Sequence, residues 1–239
     1  MHRKLSRWTR FWLDHRRAPG RDLPFYQHGN DSGWDNSTMF DHDRVVEAPD
    51  LAAFLVIQLE VLADLTEELS LGDGASWRKE RDRVLDALVT QLWDGESFFA
   101  ESPTSGRRST TSSLLVTLPI VLGTRLPEKI RAALGRRIEQ HLTPWGLATQ
   151  LPGTDEYEYD GYWRGPIWAP STALIEDGLR SAGFTELADR VSERFLALCE
   201  RSGFAENFDA ISGDGLRDRA YTWTASTYLL LADGHQPNR

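Results

Sequence analysis

Apolar residues recur at helical spacing along almost the whole chain, and strand-like alternation is nearly absent, which confines the fold to an all-helical one. Leu51, Leu55, Leu59, Leu62, Leu65 and Leu69 follow one another at three- and four-residue steps behind Pro49, a residue suited to a first helical turn. Trp77, Val84, Leu85, Leu88 and Leu92 mark a second helix. Ile130, Leu134, Ile138 and Leu142, opened by Pro127, mark a third, and Leu187, Val191, Phe195 and Leu198 a fourth. Fainter patterns occupy 3–17, 110–122, 166–180 and 222–232. The total is about eight helices with short Gly- and Pro-bearing connections, the signature of packed helical hairpins. No composition shift marks an internal boundary, so the chain reads as one domain, 1–239.

At 239 residues with 40% hydrophobic content, the chain can bury a sizeable core. A formal net charge of −9 argues against nucleic acid as a partner. Basic residues do gather near the start, but Trp8, Phe11, Trp12 and Leu13 stand among them, so that stretch reads as a helix surface. No apolar run reaches the roughly 18–20 residues of a membrane span, and no secretory leader is visible, so no membrane partner and a cytoplasmic location are expected. Cys199 is the single cysteine and shares a helical pattern with Val191, Phe195 and Leu198, which fits a small buried hydrophobe better than a nucleophile. His2, His15, His28, His42, His141 and His235 lack zinc-type spacing, and neither metal nor cofactor is expected.

Three inter-helix segments concentrate chemistry. Gly29-Asn30-Asp31-Ser32-Gly33-Trp34-Asp35-Asn36-Ser37 combines two carboxylates, an indole and two glycines. An indole offers a flat face to the C–H side of a sugar, and a carboxyl beside it is partly desolvated, which favours the protonated form a general acid needs. Turn and N-cap roles for Asp31 and Asp35 are the competing reading. Gly161-Tyr162-Trp163-Arg164-Gly165-Pro166-Ile167-Trp168 sets three aromatic rings around one cation. Arg164 suits sugar hydroxyls or a substrate carboxylate, or else pairs with Glu156, Glu158 or Asp160 just upstream. That acidic stretch, 155–160, reads as a solvated loop or as a lip over a sugar. Phe204-Ala205-Glu206-Asn207-Phe208-Asp209 places a glutamate between aromatics, ahead of Gly213-Asp214-Gly215 and Tyr221-Thr222-Trp223. A fourth loop, 93–99, reads as a turn with an aromatic plug.

In this order, the three blocks resemble the inverting α-glycosidases built on an (α/α)6 barrel. The likeness is closest to glycoside hydrolase family 63 and the mannosylglycerate and glucosylglycerate hydrolases, with trehalases more distant, and it runs from about Tyr26 to Leu231. The resemblance implies cleavage of an α-glycosidic bond with inversion, Asp35 acting as general acid and Glu206 as general base. Such carboxyls stand about 6.5–9.5 Å apart to admit a water. It also implies a sugar subsite formed by Trp34, Asn36, Tyr162, Trp163, Arg164, Trp168 and Phe208, with Asp31 in a supporting role and Trp223 closing the floor.

The chain departs from that family in one respect: its acid block lies within the first forty residues, and a ring of six helix hairpins needs more helices than it offers. It therefore corresponds to the C-terminal two-thirds of such a barrel. Faces that would meet the absent helices should be apolar, predicting self-association or a partner chain, with Trp8, Phe11 and Trp12 as contacts. A sugar-binding remnant without turnover is the alternative. A sugar epimerase is disfavoured, because no histidine occupies the three blocks.

Overall fold

The computed structural model describes residues 1–234; His235 lies outside the described residues. Packing groups the chain into two compact units: Met1–Asp35 with Met39–Thr111, and Asn36–Thr38 with the residues from Ser112 onward.

The first unit holds α1 (His2–His15), β1 (Phe25–Tyr26), the short α2 (Gly29–Ser32), β2 (Val46–Glu47), α3 (Pro49–Glu68), α4 (Ala75–Gln91), β3 (Ala100–Glu101) and β4 (Arg108–Ser109). Pro49 occupies the first turn of α3, as expected, and Leu51, Leu55, Val56, Leu59 and Leu62 are buried along it. Val84, Ala87 and Leu88 of α4 pack against that helix. The four two-residue strands form an antiparallel sheet in the order β1-β2-β3-β4. Its register sets Glu47 opposite Glu101, a like-charge pair that would repel. Arg21 lies between them, its Nε 3.0 Å from Glu47 Oε1 and its Nη2 2.9 Å from Glu101 Oε1. In the 93–99 loop the Trp93 and Phe98 rings sit 4.9 Å apart edge to face, the expected aromatic plug.

The second unit holds a 3-10 segment (Leu114–Arg125), α5 (Glu128–His141), α6 (Ala169–Ala182), α7 (Thr185–Ser202), β5 (Asn207–Phe208), β6 (Gly215–Leu216) and α8 (Thr222–Gly234). A regular α-helix over 110–122 is not what forms. Pro119 removes a donor, and Gly123 turns to φ 53, ψ −131, so the run closes in tighter turns. Helix α6 starts at Ala169 rather than Pro166, because Ile167 is taken up in backbone pairing with Phe208. The core here gathers Ile167, Phe195, Leu198, Cys199, Phe208 and Leu231. Burial pushes the Cys199 thiol up to about 12, which suits packing and not nucleophilic attack. The short strands were invisible in the sequence, since two residues are too few to show a period.

Candidate active site

In the first unit, the glycine-rich block forms α2 and the turn after it. His28 caps that helix, its Nδ1 accepting from the Asn30 amide at 3.1 Å, and Gly33 ends it in the left-handed region at φ 75. Gly29 is there for a steric reason: a Cβ at that position would lie 2.1 Å from the Asp35 carbonyl oxygen. The Ser32 hydroxyl donates to the Gly29 carbonyl at 2.6 Å and accepts from the Trp34 amide at 3.0 Å, which rigidifies the approach to Asp35. Trp34 is buried and Asp35 half-buried.

Asp31 is differently placed. Its Oδ2 accepts from Arg16 Nη1 at 2.8 Å and from the Gln27 amide at 2.9 Å. Partial burial alone would push its carboxyl up, but the Gln27 amide and the Arg16 guanidinium outweigh this and hold it below the usual carboxylate range. A carboxylate kept ionised this way anchors the turn and is a poor proton donor. This agrees with a supporting role for Asp31.

The second unit brings the other two blocks together, along with the residue after Asp35. The Asn36 side chain uses both of its ends on one loop: Nδ2 donates to the Gly161 carbonyl at 2.9 Å, and Oδ1 accepts from the Trp163 amide at 3.0 Å. Arg164 Nε donates to the Asn36 carbonyl at 2.8 Å. The expected acidic partners of Arg164 are engaged elsewhere. Glu156 Oε2 accepts from Ser112 at 2.8 Å and Gln150 at 2.7 Å, and Asp160 pairs with Arg217 at 2.6 Å. Within the loop, Trp163 and Trp168 stack with centroids 4.1 Å apart and planes 9° from parallel, and Trp168 Nε1 donates to the Tyr162 carbonyl at 2.8 Å. Tyr162 stands edge-on to Trp168 and is held at φ 64.

The Glu206 block is stitched directly to that loop. Ile167 and Phe208 exchange backbone hydrogen bonds of 2.7 and 3.0 Å. Strands β5 and β6 pair Asn207 with Leu216 and Phe208 with Gly215, and the Glu206 amide donates to the Asp218 carbonyl at 2.7 Å. Trp223 Nε1 donates to the Glu206 carbonyl at 3.3 Å and stands edge-on to Trp168 at 5.6 Å. Glu206 is half-buried, whereas Trp168 and Phe208 are fully buried and support the loop and hairpin from beneath. Among the described residues no group of acids, histidines or cysteines could hold a metal ion, and no helix is long and apolar enough to cross a membrane.

Two participants escaped the sequence reading. Asp160 and Arg217 meet across 57 positions, and Arg217 adopts φ 59, neither of which leaves a local signal.

The comparisons with known proteins bear on the whole chain. The profile of the mannosylglycerate hydrolase MGH1-like glycoside hydrolase domain matches residues 1–224. A mannosylglycerate hydrolase from Thermus thermophilus is 33% identical over 146 residues, which are 58% of this chain and 34% of that protein. A periplasmic trehalase from Xanthomonas axonopodis is 27% identical over 85% of this chain and 39% of its own. The crystal structure of the glycoside hydrolase family 63 mannosylglycerate hydrolase from Thermus thermophilus, in complex with Tris, superposes with a TM-score of 0.85 at 22% identity, covering 98% of this chain and 70% of that one. The fold is accordingly of the (α/α)6 type, and the chain spans little more than a third of the length of the curated relatives it matches. With the profile matched almost end to end over the helices and blocks just described, the chain belongs to the MGH1-like glycoside hydrolase family.

Proposed function

We propose that the chain carries the acid- and base-bearing part of an inverting glycoside hydrolase acting on a small α-linked substrate, a glycosylglycerate or an α-glucoside. Asp35 protonates the departing glycosidic oxygen, and Glu206 takes a proton from water attacking the opposite face of the sugar. Trp34, Asn36, Tyr162, Trp163 and Arg164 shape the subsite, with Trp168 and Phe208 supporting it. The observation that carries this reading is the stitching of the Glu206 hairpin to the 161–168 loop through Ile167 and Phe208, with Asn36 gripping the same loop. That arrangement gives a proton acceptor, a flat aromatic wall and a guanidinium common support. The substrate class rests on the name of the Thermus relative, a mannosylglycerate hydrolase.

The test is hydrolysis of a panel of α-linked disaccharides and glycosylglycerates, with the anomer of the product read by NMR. Inversion supports the assignment, and retention would overturn it. Asp35→Asn and Glu206→Gln keep size and hydrogen bonding but remove the proton donor and the acceptor. Each should abolish turnover while sugar binding persists. A substrate with an activated leaving group should partly restore Asp35→Asn, because it needs less acid assistance.

A second reading has its own observation. Trp8 and Phe11 on α1 are 64% and 40% exposed, and Leu229 and Leu230 on α8 are 67% and 69% exposed. Apolar faces of this kind suit self-association, and the sugar site would then be completed by a second copy. A chain that stays monomeric and binds sugar without cleaving it would instead be a binding remnant of the family.

A further inference from the structure

We propose that Arg217 is a positioning residue: its guanidinium latches the turn carrying Tyr162 onto the hairpin carrying Glu206, with Asp160 as its counter-charge. The idea deepens the hydrolase reading and rests on it for the role of Glu206.

Arg217 follows β6, where the chain still pairs with the start of β5 through the Glu206 amide and the Asp218 carbonyl. From there one planar fork reaches two segments. Nη1 lies 2.6 Å from Asp160 Oδ1 and 3.2 Å from Asn207 Oδ1, Nη2 donates to the Asp160 carbonyl at 3.2 Å, and the guanidinium carbon sits 5.1 Å from the Tyr162 ring centroid. The Asp160–Arg217 pair is too exposed, at 46% and 29%, for its Coulomb attraction alone to matter. What matters is the rigid geometry of several donors and a stacking face used at once, which a lysine cannot reproduce.

Two further observations point the same way. Among the described residues three that are not glycine have φ > 0: Ser70, Tyr162 and Arg217. The latter two touch one another. Left-handed backbone is costly for an L-residue and free for glycine, so an arginine held there is kept for its side chain. The second observation is Asn207, fully buried beside Glu206. Arginine has no acceptor, so Asn207 must turn Oδ1 towards it, and the latch thereby fixes the amide next to the base.

The decisive variant is Arg217→Gly, because glycine accepts the backbone conformation while the latch disappears. Relief of strain offsets the added freedom of the unfolded chain, so the melting temperature should stay within about 2 °C of wild type. Hydrogen exchange at the bonded amides of Glu158, Gly161 and Arg164 should accelerate about tenfold, with the rest of the unit unchanged. On a cleaved glycoside, kcat should fall about tenfold with a smaller change in KM, and Arg217→Lys should recover part of it through Asp160. Asp160→Asn should speed exchange in the same three amides. Unchanged exchange in Arg217→Gly overturns the proposal, as does acceleration throughout the unit with a lowered melting temperature, which would make Arg217 a general structural clamp. If the wild type cleaves no glycoside, the hydrolase reading falls, and the exchange result alone judges the latch.

Discussion

At the scale of single residues, the same type of side chain takes opposite parts according to what surrounds it. Asp31 and Asp35 stand four positions apart in one motif, yet Asp31 is committed to Arg16 and the Gln27 amide. The sequence offered both as acids, and the ion pair that separates them involves a residue 15 positions away. Asn36 is a second case. Expected to bind sugar, its side chain instead spends both polar ends on the backbone of Gly161 and Trp163. Its contribution to the subsite is therefore to hold the loop in shape. Asn36→Ala should leave two loop groups without partners, each worth about 1–3 kcal/mol if buried. We expect KM to rise about tenfold or more with a modest loss of thermal stability, checked by steady-state kinetics beside thermal denaturation. An unchanged KM would show that the loop keeps its shape without the clamp.

At the scale of elements, two features carry predictions. Asp50 lies fully buried in the first turn of α3, and burial pushes its carboxyl up to about 7, only partly opposed by the Tyr26 hydroxyl donating to Oδ2 at 2.8 Å. The ordinary value is 3.8, so the folded chain keeps a proton that the unfolded chain has lost between those limits. The stabilisation is complete below about pH 4 and disappears as pH rises through about 7. Urea midpoints should therefore fall between pH 5 and pH 8 in the wild type, and Asp50→Asn should flatten that slope. A wild-type midpoint independent of pH would count against it. The second feature is the contact between α6 and the 3-10 segment. Gly178 comes so close to Ile120 that a Cβ would stand 2.9 Å from its carbonyl carbon. Gly178→Val should force the two apart and cost about 2 kcal/mol or more in a denaturation experiment.

At the scale of the whole molecule, exposed apolar side chains are the feature to explain. Isolated ones are ordinary, but Trp8 with Phe11 and Leu229 with Leu230 form local groups on their helices. Arg16 lies 5.3 Å from the Phe11 ring centroid and 5.6 Å from that of Trp12, leaving Trp8 as the more exposed contact. We expect light scattering at micromolar concentration to report a dimer, and Trp8→Glu to shift it to monomer without unfolding it. A monomeric wild type would remove self-association and strengthen the binding-remnant reading.

The sequence by itself determined the helical class, because burial on one face of a helix imposes a period that any reader of the apolar residues can count. Seven of the long helices lie close to where that period put them: α1, α3, α4, α5, α6, α7 and α8. It also determined the three chemical blocks, since their glycines, aromatics and carboxylates are local and ordered. What it could not decide was the 3-10 path over 114–125, where Pro119 and Gly123 override an apolar run, or the small sheets whose strands are only two residues long. Nor could it decide partners: which carboxylate Arg16 would claim, that Asn36 would grip a loop 125 positions away, or that Arg217 would reach Asp160. Period and composition are properties of a segment. A hydrogen bond between distant segments exists only once packing of the core has fixed where each one stands, and that is a decision of tertiary structure.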